Sequence, residues 1–149
     1  MPNPIPVETR EALYDTLRRY VWCMDTQDVE GVVGVFTADA EITDFSGKRW
    51  NAEFSGARGF AKNFLERPPS GGQHWIQPLL IEETTGGYKM TSFWHSIRWN
   101  LEDNVRGVGG VGCYYDTFRL EGGEWKMTEK IIAPWNANTA PVVYKAATA

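Results

Sequence analysis

Tyr20, Asp25 and His74 are the residues of this sequence best suited to do chemistry. The stretch Tyr20-Val-Trp-Cys-Met-Asp25 is apolar except at its two ends. An acid that closes an apolar helical pattern is costly to bury without a partner. The chain has 2 histidines, His74 and His95, so an imidazole able to meet that acid is a scarce resource. A carboxylate that holds an imidazole makes a general base suited to neutral pH. The expectation is that Asp25 and His74 meet inside a cavity, Asp25 accepting from one ring nitrogen and leaving the other as base. Plainer readings stand beside it: Asp25 as a C-terminal turn residue, His74 as a satisfied core histidine, Tyr20 as a helix-core aromatic.

Several elements must position these groups. Residues 2–7 hold 3 prolines and read as an extended arm. A helix is predicted from about Arg10 to Met24, capped by Thr9, with Leu13, Leu17, Tyr20, Val21 and Met24 at helical spacing. Asp28 is a candidate N-cap for a short helix over Val29 to Phe36. Thr37-Ala-Asp-Ala then reads as the end of that helix. Glu41 to Phe45, the turn Ser46-Gly47-Lys48 and Arg49 to Phe54 form a hairpin signature. Ala57 to Leu65 reads as a third helix. Strands follow over Gln73 to Glu83, Tyr88 to Asn100, Arg106 to Leu120 and Glu124 to Ala133. Pro78 marks the first of these as an edge strand or a bulged one. Four glycines between 107 and 112 permit sharp coiling of the third. This order predicts an α+β fold with helices on one face of a mixed or antiparallel sheet. Residues 137–149 read as a polar tail, with Trp135 and Tyr144 as parts of a possible lid.

Five residues on a helix turn the chain by roughly 140°, so Tyr20 and Asp25 share a face only if the helix ends near Met24. Alternation puts Phe93, His95, Ile97 and Trp99 on one face of their strand and Trp94, Ser96 and Arg98 on the other. Tyr114 is favoured as inward. Alternation alone does not say which face is concave.

With 149 residues, one domain is expected over the whole chain. A net charge of -4 with no basic block argues against nucleic acid and against a polybasic membrane patch. Cys23 and Cys113 follow no zinc or redox spacing. The opening residues lack the charged and apolar regions of a signal peptide, and a cytoplasmic protein is expected. The 7 tryptophans, 7 phenylalanines and 6 tyrosines supply core and pocket walls alike.

The helix ending Tyr20-xxxx-Asp25, then Asp28, Val35-Phe36-Thr37-Ala38-Asp39-Ala40, Gly56, the His74 strand, Cys113-Tyr-Tyr-Asp-Thr-Phe and Gly123-Glu-Trp125-Lys126-Met together resemble the SnoaL-like family of the NTF2-like superfamily. The resemblance covers nearly the whole chain. It implies a cone: a strongly curved sheet and three helices around a deep apolar pocket. It also points to a lyase branch that includes scytalone dehydratase, a bile-acid dehydratase, hexachlorocyclohexane dehydrochlorinase and arylpropane lyases. There, residues at the positions of Asp25 and His74 form the base, and one at the position of Tyr20 helps the leaving group. The position of Lys130 carries a cation in the dehydrochlorinase. His95 falls on the inward face of the fourth strand by the same comparison. His95, Tyr114, Trp50, Trp99 and Phe45 are the candidate substrate-binding residues. The implied activity is a cofactor-independent lyase or isomerase acting on a hydrophobic, oxygenated aromatic or alicyclic molecule. It would lose water or a small fragment such as formaldehyde.

Relatives of this fold also commonly form dimers or trimers through the outer sheet face, where Trp94 is expected. Alternative readings are a non-catalytic binding module, a structural subunit like the β chain of ring-hydroxylating dioxygenases, and an iron site made by His74, His95 and Asp25.

Overall fold

The computed structural model describes residues 4–66 and 71–136. Helix α1 (Val7–Asp25) starts earlier than the Thr9 cap predicts, because Pro6 itself precedes the first turn. Proline fits that entry, since its missing N–H costs nothing there. Helix α2 (Val29–Gly34) begins as expected, with the Asp28 carboxylate accepting from the Gly31 N–H at 2.9 Å. It ends sooner than predicted, and Thr37-Ala-Asp-Ala belongs to strand β1 (Phe36–Thr43). The hairpin is confirmed in shortened form. Strand β2 (Arg49–Trp50) pairs antiparallel with β1, and Ala52–Phe54 forms a 3-10 turn rather than more strand. Helix α3 (Gly56–Leu65) follows.

Four long strands complete the chain: β3 (Gly71–Thr84), β4 (Gly87–Trp99), β5 (Arg106–Glu121) and β6 (Glu124–Pro134). They join β1 and β2 in one curved sheet of order β2-β1-β6-β5-β4-β3, with β1 and β6 parallel and every other pair antiparallel. Strand β3 is an edge strand and its register shifts between Pro78 and Leu80, so the proline sits at both an edge and a bulge. The core lies between the helices and one sheet face: Leu13, Leu17 and Tyr20 from α1, Val32 from α2 and Phe60 from α3 meet Met90, Trp94, Tyr114, Phe118 and Met127. Among the described residues no helix is long and apolar enough to cross a membrane.

Two bulges decide which side chains face that core. In β5 an extra residue, Gly109, falls between the partners of Ser96 and Ile97. In β6, Thr128 is the extra residue between the partners of Thr117 and Phe118. A bulge of one residue inverts the alternation beyond it. Met127 and Lys130 are therefore both buried although their numbers differ in parity.

Gly112 is required by a close approach. A Cβ there would collide with the Ala133 carbonyl of the neighbouring strand, whereas one on Gly107 would meet nothing within 4 Å. Gly112→Ala is expected to cost about 1–3 kcal/mol. Gly107→Ala should stay within about 0.5 kcal/mol of the parent. Urea unfolding of the two variants checks this, and equal losses would refute the close-approach argument.

Candidate active site

Helix α1 runs through Asp25, which is its last residue, and Gln27 then turns the chain with φ 59°. Tyr20 and Asp25 thus leave the helix in different directions. Tyr20 points toward β1, β5 and β6, with its ring 6.0 Å from Phe36 and 6.2 Å from Tyr114. Asp25 reaches β3. Its Oδ2 accepts from the His74 backbone N–H at 2.8 Å, and its Oδ1 lies 2.6 Å from the ring Nδ1. An ionised carboxylate only accepts, so the proton between them belongs to Nδ1, and in the neutral ring the lone pair lies on Nε2. The two side chains keep 17% and 18% of their surface exposed, which is enough to meet a ligand.

Tyr20, Asp25 and His74 line one cavity of about 570 Å³. That volume suits a small organic ligand. Met24, Phe45, Phe60, Phe64, Leu65, Trp94, Tyr114 and Ile132 supply its apolar wall. Gln27, Ser96 and Arg98 add polar groups. Burial, with smaller contributions from nearby carboxylates, pushes the Tyr20 and Tyr114 hydroxyls well above the ordinary phenol range. Both remain protonated donors at neutral pH. Neither hydroxyl is among the sealed, unpartnered polar atoms, which are Ser92 Oγ and Asp116 Oδ2 among the described residues.

Five of the nine expected site residues line this cavity: Asp25, His74, Tyr20, Tyr114 and Phe45. The other four do not. His95 is exposed on the opposite face of the sheet, stacked on Trp75 with ring centroids 6.0 Å apart. The antiparallel partner of His74 is Ser96, so Ser96 shares its face and His95 cannot. That geometry also separates the three ligands of the considered iron site, and the described residues contain no cluster of three or more candidate ligands. Trp99 lies against Gly71, away from the cavity. Trp50 is buried in the β1–β2 hairpin, where its Nε1 donates to Asp44 at 2.9 Å under the Lys48 ammonium.

Lys130 is fully buried behind the cavity wall. Its Nζ is 2.9 Å from Asp116 and sits 4.2 Å and 3.6 Å from the Tyr20 and Tyr114 ring centres. It holds the two tyrosines rather than reaching a ligand. Trp94, expected outside, is inside and stacks on Tyr114 at 5.5 Å. Trp135 packs on Phe93, away from the cavity residues, and the rest of the proposed lid lies outside the described residues. Trp94, Ser96 and Arg98 are among the cavity residues that sequence reasoning missed. The signal was the face shared with His74, once the pairing of β3 with β4 is known.

A SnoaL-like domain profile matches residues 6–130 of the chain. No curated protein matches it. Solved structures do. Aln2 from a Streptomyces species superposes with a TM-score of 0.75 at 19% identity, over 88% of this chain and 93% of that one. A candidate scytalone dehydratase from Novosphingobium aromaticivorans gives 0.71 at 16%, over 92% and 94%. An NTF2-like protein with a cystatin-like fold from the same organism gives 0.70 at 19%, over 89% and 87%. The chain shares that NTF2-like fold.

The Asp116–Lys130 pair yields a pH test. Burial raises the Asp116 pKa and lowers that of Lys130, each opposed by the attraction of its partner. Lys130→Met removes that attraction and leaves a sealed carboxyl, costing roughly 3–5 kcal/mol at pH 7. With its folded pKa further raised, Asp116 binds its proton more tightly folded than unfolded. The variant should therefore be closest to the parent below the ordinary carboxylate pKa of about 3.9. It should lose stability as pH rises toward the folded value. Urea midpoints from pH 4 to 7 read this, and a gap that stays constant with pH would refute it.

Proposed function

The chain belongs to the SnoaL-like domain family, and we propose that it is a cofactor-independent lyase or isomerase of hydrophobic, oxygenated aromatic or alicyclic molecules. The observation that carries this is the double hold of Asp25 on His74 at the wall of an apolar cavity. Nε2 of His74 removes a proton from a substrate carbon or hydroxyl. Asp25 stabilises the imidazolium, as the acid of a catalytic triad does. In a dehydration, the C–H electron pair becomes the new double bond, the C–O bond breaks, and the oxygen leaves as water with the proton returned by the His74 imidazolium, held by a hydrogen bond from Tyr20 or Tyr114. In a retro-aldol loss of formaldehyde, the proton leaves the hydroxymethyl oxygen, the C–C bond breaks and the resulting carbanion is reprotonated. The solved scytalone dehydratase candidate supports the first form. The cavity's aromatic wall suits flat substrates under both.

We further propose that the protein is cytoplasmic, consistent with the free thiols of Cys23 and Cys113, and self-associates through the outer sheet face. Trp75, Phe93 and Val111 are 53%, 40% and 42% exposed there, an apolar patch of the kind that marks interfaces. Phe93→Asp with Trp75→Lys should yield a folded monomer by light scattering. A parent that is already monomeric would end this part of the proposal.

For the chemistry, the parent and its variants are incubated with a panel of hydroxylated aromatic and alicyclic compounds and read by mass spectrometry. The parent should release a neutral fragment whose mass names the reaction. His74→Ala and Asp25→Asn should each lower turnover by about 10²- to 10⁴-fold. Tyr20→Phe should lower kcat more than it changes KM. Full turnover by His74→Ala would overturn the mechanism.

A further inference from the structure

Arg98 is the one cation among the described residues that line the cavity, and the only anion there, Asp25, is engaged by His74. Arg98 is exposed, and its guanidinium makes no hydrogen bond or ion pair with the described residues. It is nevertheless close enough to oppose the upward shift of the Tyr114 hydroxyl.

Its surroundings are built from missing side chains. Arg98 pairs with Gly72 on β3 and Gly107 on β5, so neither flanking strand puts a side chain beside it. A Cβ on Gly109, the bulge residue, would lie 2.6 Å from Arg98 Cγ and 2.7 Å from Ser96 Oγ. A Cβ on Gly72 would lie 3.5 Å from a guanidinium nitrogen. The arginine therefore lies along the inner sheet face over bare backbone. Strand spacing sets its distance from the base: Arg98 is one strand across and two residues along from His74, so the two Cα atoms are roughly 8 Å apart.

We propose that Arg98 is a specificity residue that binds a substrate carboxylate, making the substrate class an aromatic or alicyclic acid. This rests on the lyase reading of the same cavity. A guanidinium presents a planar fork that matches a carboxylate with two parallel hydrogen bonds. A ring held by the aromatic wall, with its acid group on Arg98, spans the interval to His74. The acid is fixed at one end and the reacting bond is presented at the other.

The test uses the full chain with two probes of one shape, trans-cinnamate and trans-cinnamamide, measured by calorimetry at pH 7.5. Wild type should bind cinnamate roughly ten- to a hundredfold more tightly than the amide. Arg98→Met should abolish that preference without weakening the amide. Arg98→Lys should keep only part of it, because an ammonium lacks the fork. Gly109→Ala should reduce it by displacing the arginine. Circular dichroism checks that each variant is folded.

Equal binding of the two probes by wild type, no cinnamate binding, or an unchanged preference in Arg98→Met would overturn the proposal. Turnover separates it from the lyase reading. Loss of turnover in His74→Ala with normal kcat and KM in Arg98→Met removes the carboxylate and leaves the lyase. Arg98-dependent acid binding with no His74-dependent turnover does the reverse.

Discussion

The contact between Asp25 and His74 joins the last residue of the first helix to a strand far along the chain. One carboxylate takes both the backbone N–H and the ring nitrogen of a single residue. The first bond secures the end of α1 to the edge strand β3, and the second sets the rotamer and tautomer of the imidazole. Hydrogen bonds to an ionised group are each worth about 1.5–3 kcal/mol when the partner is well placed. They offset the cost of keeping a carboxylate largely out of water. One side chain therefore both ties two elements together and fixes the orientation of the imidazole before any ligand arrives.

Behind that contact lies a polar core that packing alone does not require. Asp116 and Lys130 are both fully buried, and a well-packed apolar pair of similar volume is often at least as stable as such an ion pair. What the pair adds is placement. The ammonium lies over the faces of Tyr20 and Tyr114, an attraction that strengthens when desolvated. Two phenols that line the cavity are thus held from behind by a charge that is not part of its lining. The bulge at Thr128 makes this possible by turning Lys130 inward.

The helices, the succession of long strands and the Asp25–His74 meeting were legible because each rests on a local pattern or on scarcity. Apolar spacing marked α1, the Asp28 cap marked α2, and two histidines left few partners for a buried acid. The inner face of β4 was not legible. Alternation groups Trp94 with Arg98 and His95 with Trp99, but it carries no sign. Only the pairing of His74 with Ser96 supplies one. The depth of Lys130 was hidden for a related reason: counting from Trp125 by twos points it outward, and the bulge reverses the count. Gly109 is the sequence trace of the other bulge, although a glycine-rich strand does not say which glycine is extra.

The same parity gives the cavity its chemical direction. With His95 outside, His74 is the single imidazole among the described cavity residues, so the proposed proton removal has one candidate base. With Arg98 inside, positive charge sits about two residues along the sheet, beyond Ser96. Under the proposed lyase reading, a substrate that spans the interval would have its proton taken at one end and its negative charge met at the other. The phenols of Tyr20 and Tyr114 lie with the apolar wall, protonated because burial makes their anions costly. They are suited to donate to a departing oxygen and unsuited to act as bases. The imidazole, the phenols and the guanidinium thus occupy distinct positions along one cavity, an arrangement that suits the proposed elimination.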